Sequence, residues 1–249
     1  MSAFPYRSEE PSGPVLGLMA LQADETIEGD FRRMFPVETR LLVTRVPSGL
    51  EVTSDMLAAM ETALPAAAGL LPRGLRFDVI GYGCTSASAQ IGSRQVAEAI
   101  RIGALTNAVA DPLSALLAAC KTLGISRIAF LSPYLPEVSE RLRGALMQEG
   151  VETPLFGSFD EANEAKVVRI APRSVFEAGR ALVEGGGVDA LFLSCTNLRT
   201  LPIVEALEVE TGLPVLSSNL VLAWHMARLA GLEGIVGPGS LLAVSRENA

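Results

Sequence analysis

At 249 residues, with 49% apolar and 19% charged side chains, the chain can form one large α/β domain or two half-sized ones, and it is too apolar for disorder, collagen or a coiled coil. Twenty Lys and Arg against 28 Asp and Glu leave a net charge of −8 with no basic block, which excludes a nucleic-acid footprint. No apolar run approaches the ~20 residues that span a bilayer, and the acidic, Pro-containing head does not read as a secretory signal, so the expectation is a cytoplasmic protein without membrane contact.

Residues 1–13 are polar with two prolines and are expected to be poorly ordered. Short aliphatic runs then alternate with longer amphipathic ones. Strands are expected at 15–20, 38–46, 76–81, 127–131, 151–156, 188–193 and 213–216. Thr53-Ser54-Asp55 supplies an N-cap for a helix over 56–69, and Asp111-Pro112 caps one over 113–123. Gly124, Gly150 and Gly185-Gly186-Gly187 fall where helices should stop. This βα alternation predicts mostly parallel sheets flanked by helices, with ligands bound beyond the carboxyl ends of the strands.

Three cysteines, Cys84, Cys120 and Cys195, are too few for a disulfide framework, and none lies in a C-x-x-C pair. Two share a context. The run Asp78-Val79-Ile80-Gly81-Tyr82-Gly83 leads into Cys84-Thr85-Ser86, and Asp189-Ala190-Leu191-Phe192-Leu193-Ser194 leads into Cys195-Thr196-Asn197, 111 residues later. Two similar half-domains, each with a thiol at a strand-to-helix junction, explain the match. At such a junction the helix N-terminus lowers a thiol pKa, and its free amides bind a carboxylate. Facing thiols could then take and return a proton, or one could attack while the other supplies a proton. The alternative is that each is a small buried hydrophobe, the reading that fits Cys120 in Leu116-Leu117-Ala118-Ala119-Cys120.

Together with Ser132-Pro133-Tyr134, these segments resemble the aspartate/glutamate racemase superfamily, in the branch of maleate cis-trans isomerase and arylmalonate decarboxylase. The resemblance covers about residues 15–239. Leu16-Gly17-Leu18 through Asp24-Glu25-Thr26-Ile27-Glu28, with Ser194 to Thr200, are most similar to the maleate-isomerase-type members of ectoine-utilisation gene clusters. The resemblance implies two pseudo-symmetric α/β halves, 1–106 with 217–249 and 107–216, around a cofactor-independent site, and a homodimer. It implies that Cys84 attacks or deprotonates, that Cys195 gives or takes a proton, and that Tyr134 and Asn163 bind substrate. Backbone amides beside Thr85, Ser86 and Thr196, with Asn197, would complete the carboxylate pockets.

One departure concerns charge. Maleate isomerases carry an asparagine where this chain has Asp24 within Leu21-Gln22-Ala23-Asp24-Glu25-Thr26. A carboxylate there repels a dianion and favours an ammonium group, so an amino-acid-like substrate is expected; alternatively Asp24 only caps the helix expected over 25–34. Gly81-x-Gly83-x-x-Ser86 lacks the third glycine of a dinucleotide turn and reads as room for a substrate beside Cys84. The single His225 has no partner of metal-ligand spacing, and Arg199 could pair with a carboxylate or a neighbouring helix. The leading reading is therefore an isomerase or racemase of a small carboxylate, with no metal and no cofactor. A malonate-type decarboxylase and a non-catalytic binding protein for ectoine-derived metabolites are the alternatives.

Overall fold

A computed structural model describes residues 3–9 and 12–247. Residues 3–9 form neither helix nor strand, and the rest of the polar head that the sequence marks as poorly ordered lies partly outside the described residues. The first sheet comprises β1 (Val15–Leu21), β2 (Arg40–Val46), β3 (Arg76–Gly83) and β4 (Leu105–Ala110) in the order β2-β1-β3-β4, all parallel. The second comprises β5 (Arg127–Ser132), β6 (Glu152–Ser158), β7 (Ala190–Leu193) and β8 (Val215–Ser217) in the order β6-β5-β7-β8, again parallel. The two orders are the same, so the chain is built from two pseudo-symmetric α/β halves with β3 and β7 in equivalent places.

Helices α1 (Ile27–Met34), α2 (Ser54–Ala68), α3 (Thr85–Ile91) and α4 (Ser93–Gly103) belong with the first sheet, and α5 (Pro112–Leu123) leads away from it. They are followed by α6 (Pro136–Gln148), α7 (Glu164–Val167), α8 (Pro172–Val183), α9 (Val204–Thr211), α10 (Ser218–Leu229) and α11 (Ser240–Glu247). The caps expected from sequence form: Thr53 Oγ1 accepts from Met56 N, and Asp111 Oδ1 accepts from Leu113 N and Ser114 N. The side chains of Ser54 and Asp55 lie outside the described residues.

Both halves use one device to align their central strands. Asp78 Oδ2 accepts the amide of Val15 at the start of β1, and Asp189 Oδ2 accepts those of Ser126 and Arg127 at the start of β5. This is the structural meaning of the aspartate in each repeated run. The amide bonds also hold the Asp189 carboxyl below its ordinary range.

Strand β4 has no counterpart among the expected strands, because only one side of it is covered: Leu105 and Asn107 are exposed while Thr106 and Ala110 are buried. Its pairing with β3 also means that a division after residue 106 cuts through a strand; the change of sheet falls between β4 and β5. Helix α10 follows β8 in the chain but packs on β3, β4 and α5 of the preceding elements, with Trp224 buried. The glycines of β3 serve this packing. A Cβ on Gly81 would lie 2.3 Å from Met226 Sδ, and one on Gly83 would lie 2.6 Å from Ile27 Cδ1, so they make room for α10 and α1 rather than for substrate. Among the described residues no helix is long and apolar enough to cross a membrane.

Candidate active site

The ends of β3 and β7 open on one cavity that both thiols line. Cys84 ends its strand in extended backbone and is the N-cap of α3, with its Sγ accepting from Ala87 N at 3.4 Å. Cys195 is built differently. Its φ is +107°, a region that L side chains rarely occupy, and the chain turns instead of entering a helix. Its Sγ lies 3.0 Å from the Tyr134 hydroxyl and accepts from Asn197 N at 3.3 Å. The strand-to-helix junction expected at both cysteines is therefore present only at Cys84.

Ser218 joins the two loops. Its Oγ accepts the Thr85 hydroxyl at 2.8 Å and the Cys195 amide at 3.0 Å, while the Thr196 hydroxyl donates to the carbonyl of Gly83 at 3.2 Å. Ser48, Gly49, Glu51 and Val52 of the segment 48–52, with Met56, Leu57 and Met60 on α2, line the cavity from the first half. This segment is tied to the second half by Val52 N to Ala162 O at 3.0 Å and Glu164 N to Leu50 O at 3.1 Å.

The cavity is acidic. Asp24, Glu51 and Glu164 line it, and no Lys, Arg or His does among the described residues. Asp24 Oδ1 accepts the amides of Thr26 and Ile27, both at 2.8 Å, while the buried Oδ2 has no hydrogen-bond partner. Both readings of Asp24 are thus partly realised: one oxygen holds the turn into α1 and the other is left unpaired. Burial raises its pKa against the lowering effect of the Ile27 and Thr26 amides and the Arg45 charge. Arg45 itself bonds the main-chain oxygens of Leu21 and Asp24, and pairs with Glu28. Glu164, on the short helix α7, is raised by burial as well.

Burial also decides the thiols. It pushes Cys84 up to about 12, despite the Ala87 amide, and Cys195 well above its ordinary value, with the Glu164 charge adding to the shift. This overturns the expectation that a helix N-terminus depresses the thiol pKa. A helix end contributes roughly 0.3–1 kcal/mol, less than one pKa unit at about 1.36 kcal/mol, which desolvation of a buried thiol exceeds.

The arylmalonate decarboxylase family matches residues 85–242, more than half of the chain. The chain belongs to that family. It is 29% identical over 203 residues to a maleate isomerase of Pseudomonas putida, covering 77% of this chain and 80% of that protein. It is 25% identical over 234 residues to the arylmalonate decarboxylase of Bordetella bronchiseptica, covering 93% and 96%. The maleate cis-trans isomerase of Nocardia farcinica bound to TRIS superposes with a TM-score of 0.80 at 26% identity, covering 95% of this chain and 100% of that one. A mutant of that isomerase with a covalently bound succinylcysteine intermediate superposes with a TM-score of 0.77. The chain is an enzyme of this arylmalonate decarboxylase and maleate isomerase branch. The family match starts one residue after Cys84 and includes Cys195.

Of the residues marked in the sequence, Asp24, Cys84, Thr85, Ser86, Tyr134, Cys195, Thr196 and Asn197 line the cavity. Asn163 does not. Its Oδ1 caps α7 by accepting from Lys166 N, and its backbone bridges Glu51. The inward position belongs to the next residue, Glu164, which sequence reading missed because the register across 159–166 has no apolar repeat to fix it. Nor is Tyr134 presented free: its hydroxyl donates to Glu164 Oε1 at 2.6 Å. The Asn197 amide is taken up by Glu25 N, Ala23 O and Glu164. Cys120 sits buried in α5 away from the cavity, His225 stacks on Trp224, and Arg199 donates to Ile170 O, so none of them takes part. Among the described residues no group of three or more His, Cys, Asp or Glu is placed to hold a metal ion.

Proposed function

We propose that the protein is a cofactor-independent isomerase of a small carboxylate that also carries a cationic group, with Cys84 and Cys195 as the reacting thiols. The observation that carries the reading is one cavity with two thiols from equivalent strand ends, an unpaired Asp24 oxygen and, among the described residues, no basic lining side chain. A dianion such as maleate meets buried carboxyl groups there, whereas an ammonium group next to Asp24 supplies the missing partner. The same cation favours a thiolate in the cavity, and a thiolate whose acid is this weak is a strong base towards an α-proton.

In a racemisation, one thiolate removes the α-proton, and the opposite thiol returns a proton to the other face. In a cis-trans isomerisation, the Cys84 thiolate adds to the C=C bond, the new single bond rotates, and elimination restores the thiolate. Amides beside Thr85, Ser86 and Thr196 hold the carboxylate in either case. The likeness to the ectoine-utilisation members directs the substrate search to hydrolysed or N-acetylated diaminobutyrates, and a homodimer, read by light scattering, belongs to the same proposal.

Amino acids of this class are incubated in deuterium oxide and followed by NMR. Deuterium at the α-carbon, lost in Cys84→Ser and in Cys195→Ser, supports racemisation. Binding without exchange or conversion rejects catalysis in favour of a carrier. A decarboxylase reading draws on the family match, which includes Cys195 but not Cys84; carbon dioxide release from a substituted malonate that survives Cys84→Ser would establish it instead.

A further inference from the structure

Glu164 is a buried carboxyl group that the chemistry above does not use. Its Oε1 accepts the Tyr134 hydroxyl at 2.6 Å, and the same hydroxyl oxygen lies 3.0 Å from Cys195 Sγ. A phenol has one hydrogen. With that hydrogen given to Glu164, the Tyr134 oxygen can only accept from Cys195, so the donors run one way, from thiol to phenol to carboxylate. The chain is held at each member: Asn197 Nδ2 donates to Glu164 Oε2 at 3.0 Å, Ser132 Oγ accepts Tyr134 N at 3.2 Å, and Ser158 Oγ donates to Tyr134 O. Cys84 has no such route to a carboxylate: its Sγ accepts the amide of Ala87 at 3.4 Å, and the phenol beside it, Tyr82, donates to Met60 Sδ at 3.5 Å.

We propose that Glu164 is the proton acceptor for Cys195, acting through Tyr134 as a positioning residue of the second thiol. The Cys195 S–H bond breaks as its proton binds the Tyr134 oxygen, and the Tyr134 O–H bond breaks as its proton passes to Glu164 Oε1. The products are a thiolate, a neutral phenol and a neutral carboxylic acid, and the reverse transfer restores the start. One negative charge stays on the chain throughout. Release of the thiol proton to solvent would instead place a second negative charge beside Glu164, in a cavity already lined by Asp24 and Glu51 and, among the described residues, by no Lys, Arg or His. Burial and the Glu164 charge both oppose that direct ionisation. The thiol pair is therefore asymmetric at rest: Cys195 has a carboxylate to take its proton through Tyr134, and Cys84 does not.

The inference rests on Cys195 being a reacting thiol, but its test needs no substrate and so fails separately from the proposed function. The unliganded protein is alkylated with iodoacetamide from about pH 4 to about pH 11, and modification of the Cys195 and Cys84 peptides is quantified by mass spectrometry. Cys195 in the wild type is expected to show two rises, one with the titration of a carboxyl group and one at high pH, while Cys84 shows only the second. Glu164→Gln and Tyr134→Phe should lose the first rise and label Cys195 roughly tenfold more slowly near neutral pH, and Glu164→Asp should restore part of it. If Glu164 acts only as a nearby charge, Glu164→Gln removes repulsion and Cys195 labels faster; an equal or faster rate overturns the proposal. A single high-pH rise for Cys195 in the wild type overturns it without any variant.

Discussion

Cys84 and Cys195 end equivalent strands of two sheets with the same order, yet the chain leaves them in opposite ways. Cys84 passes directly into α3 and its sulfur caps that helix, so the surrounding backbone is relaxed. Cys195 is held at φ +107° by bonds from outside its own loop: its amide is fixed by Ser218, and the carbonyl of Thr196 accepts from Asn219 Nδ2. The duplication set up two like positions, and the neighbours made them chemically different. Strain at one thiol and not the other points to Cys195 as the position whose side-chain direction matters most.

Substitutions at four positions would break or sharpen this contrast. The largest effect is expected on turnover: Cys84→Ser and Cys195→Ser should each lower α-proton exchange by about 10^3-fold, as loss of an acid or base in the transition state does. If only one of them lowers it, the two thiols do not act as a pair. Next, Asp24→Asn should cost roughly tenfold or more in affinity for the cationic substrate, through loss of a buried charge pairing, while improving that for maleate. The stability of this variant has a definite sign. Burial raises the folded pKa of Asp24 above its ordinary value of 3.8, so the fold loses stability as pH rises through that value towards the folded one. Asp24→Asn should therefore be the more stable protein at neutral pH in a denaturant titration, and the difference should vanish below about pH 4.

Ser218→Ala tests the link between the loops. It leaves the Thr85 hydroxyl and the Cys195 amide, both buried, without an acceptor, which should cost about 1–3 kcal/mol in denaturant unfolding. A loss well below this would mean that the two thiol loops are held independently. The smallest effect comes from glycine at each cysteine. Cys195→Gly relieves an unfavourable φ, whereas Cys84→Gly gives up a cap in a conformation any residue adopts, so the first should be the more stable by about 1 kcal/mol. Equal midpoints would show that the φ of Cys195 carries no strain.

How far the site was legible in the sequence follows from which residues repeat. The matched Asp…Cys-Thr runs mark both thiols and the threonines beside them, and the same repeat contains the aspartates that align β1 and β5. Asp24 is legible only through the resemblance, as the residue that stands where maleate isomerases carry an asparagine. Glu164 is not, since it follows no strand directly and sits beside an asparagine that caps the same short helix. The half-exposed β4 escapes for a related reason: only one of its faces is covered, so its apolar run is short.

Local sequence determined the alternation of elements, their caps and the two strand ends that carry sulfur, because those depend on neighbours a few residues away. Tertiary structure alone decided the charge of the cavity and the state of its thiols. The carboxyl groups of Asp24 and Glu164 come from different halves of the fold, and only their shared burial with Cys84 and Cys195 removes the water that would otherwise keep each pKa ordinary. The net charge of −8 comes without a basic block; the folded chain places some of its acidic side chains around two thiols, the feature on which the proposed preference for a cationic group rests.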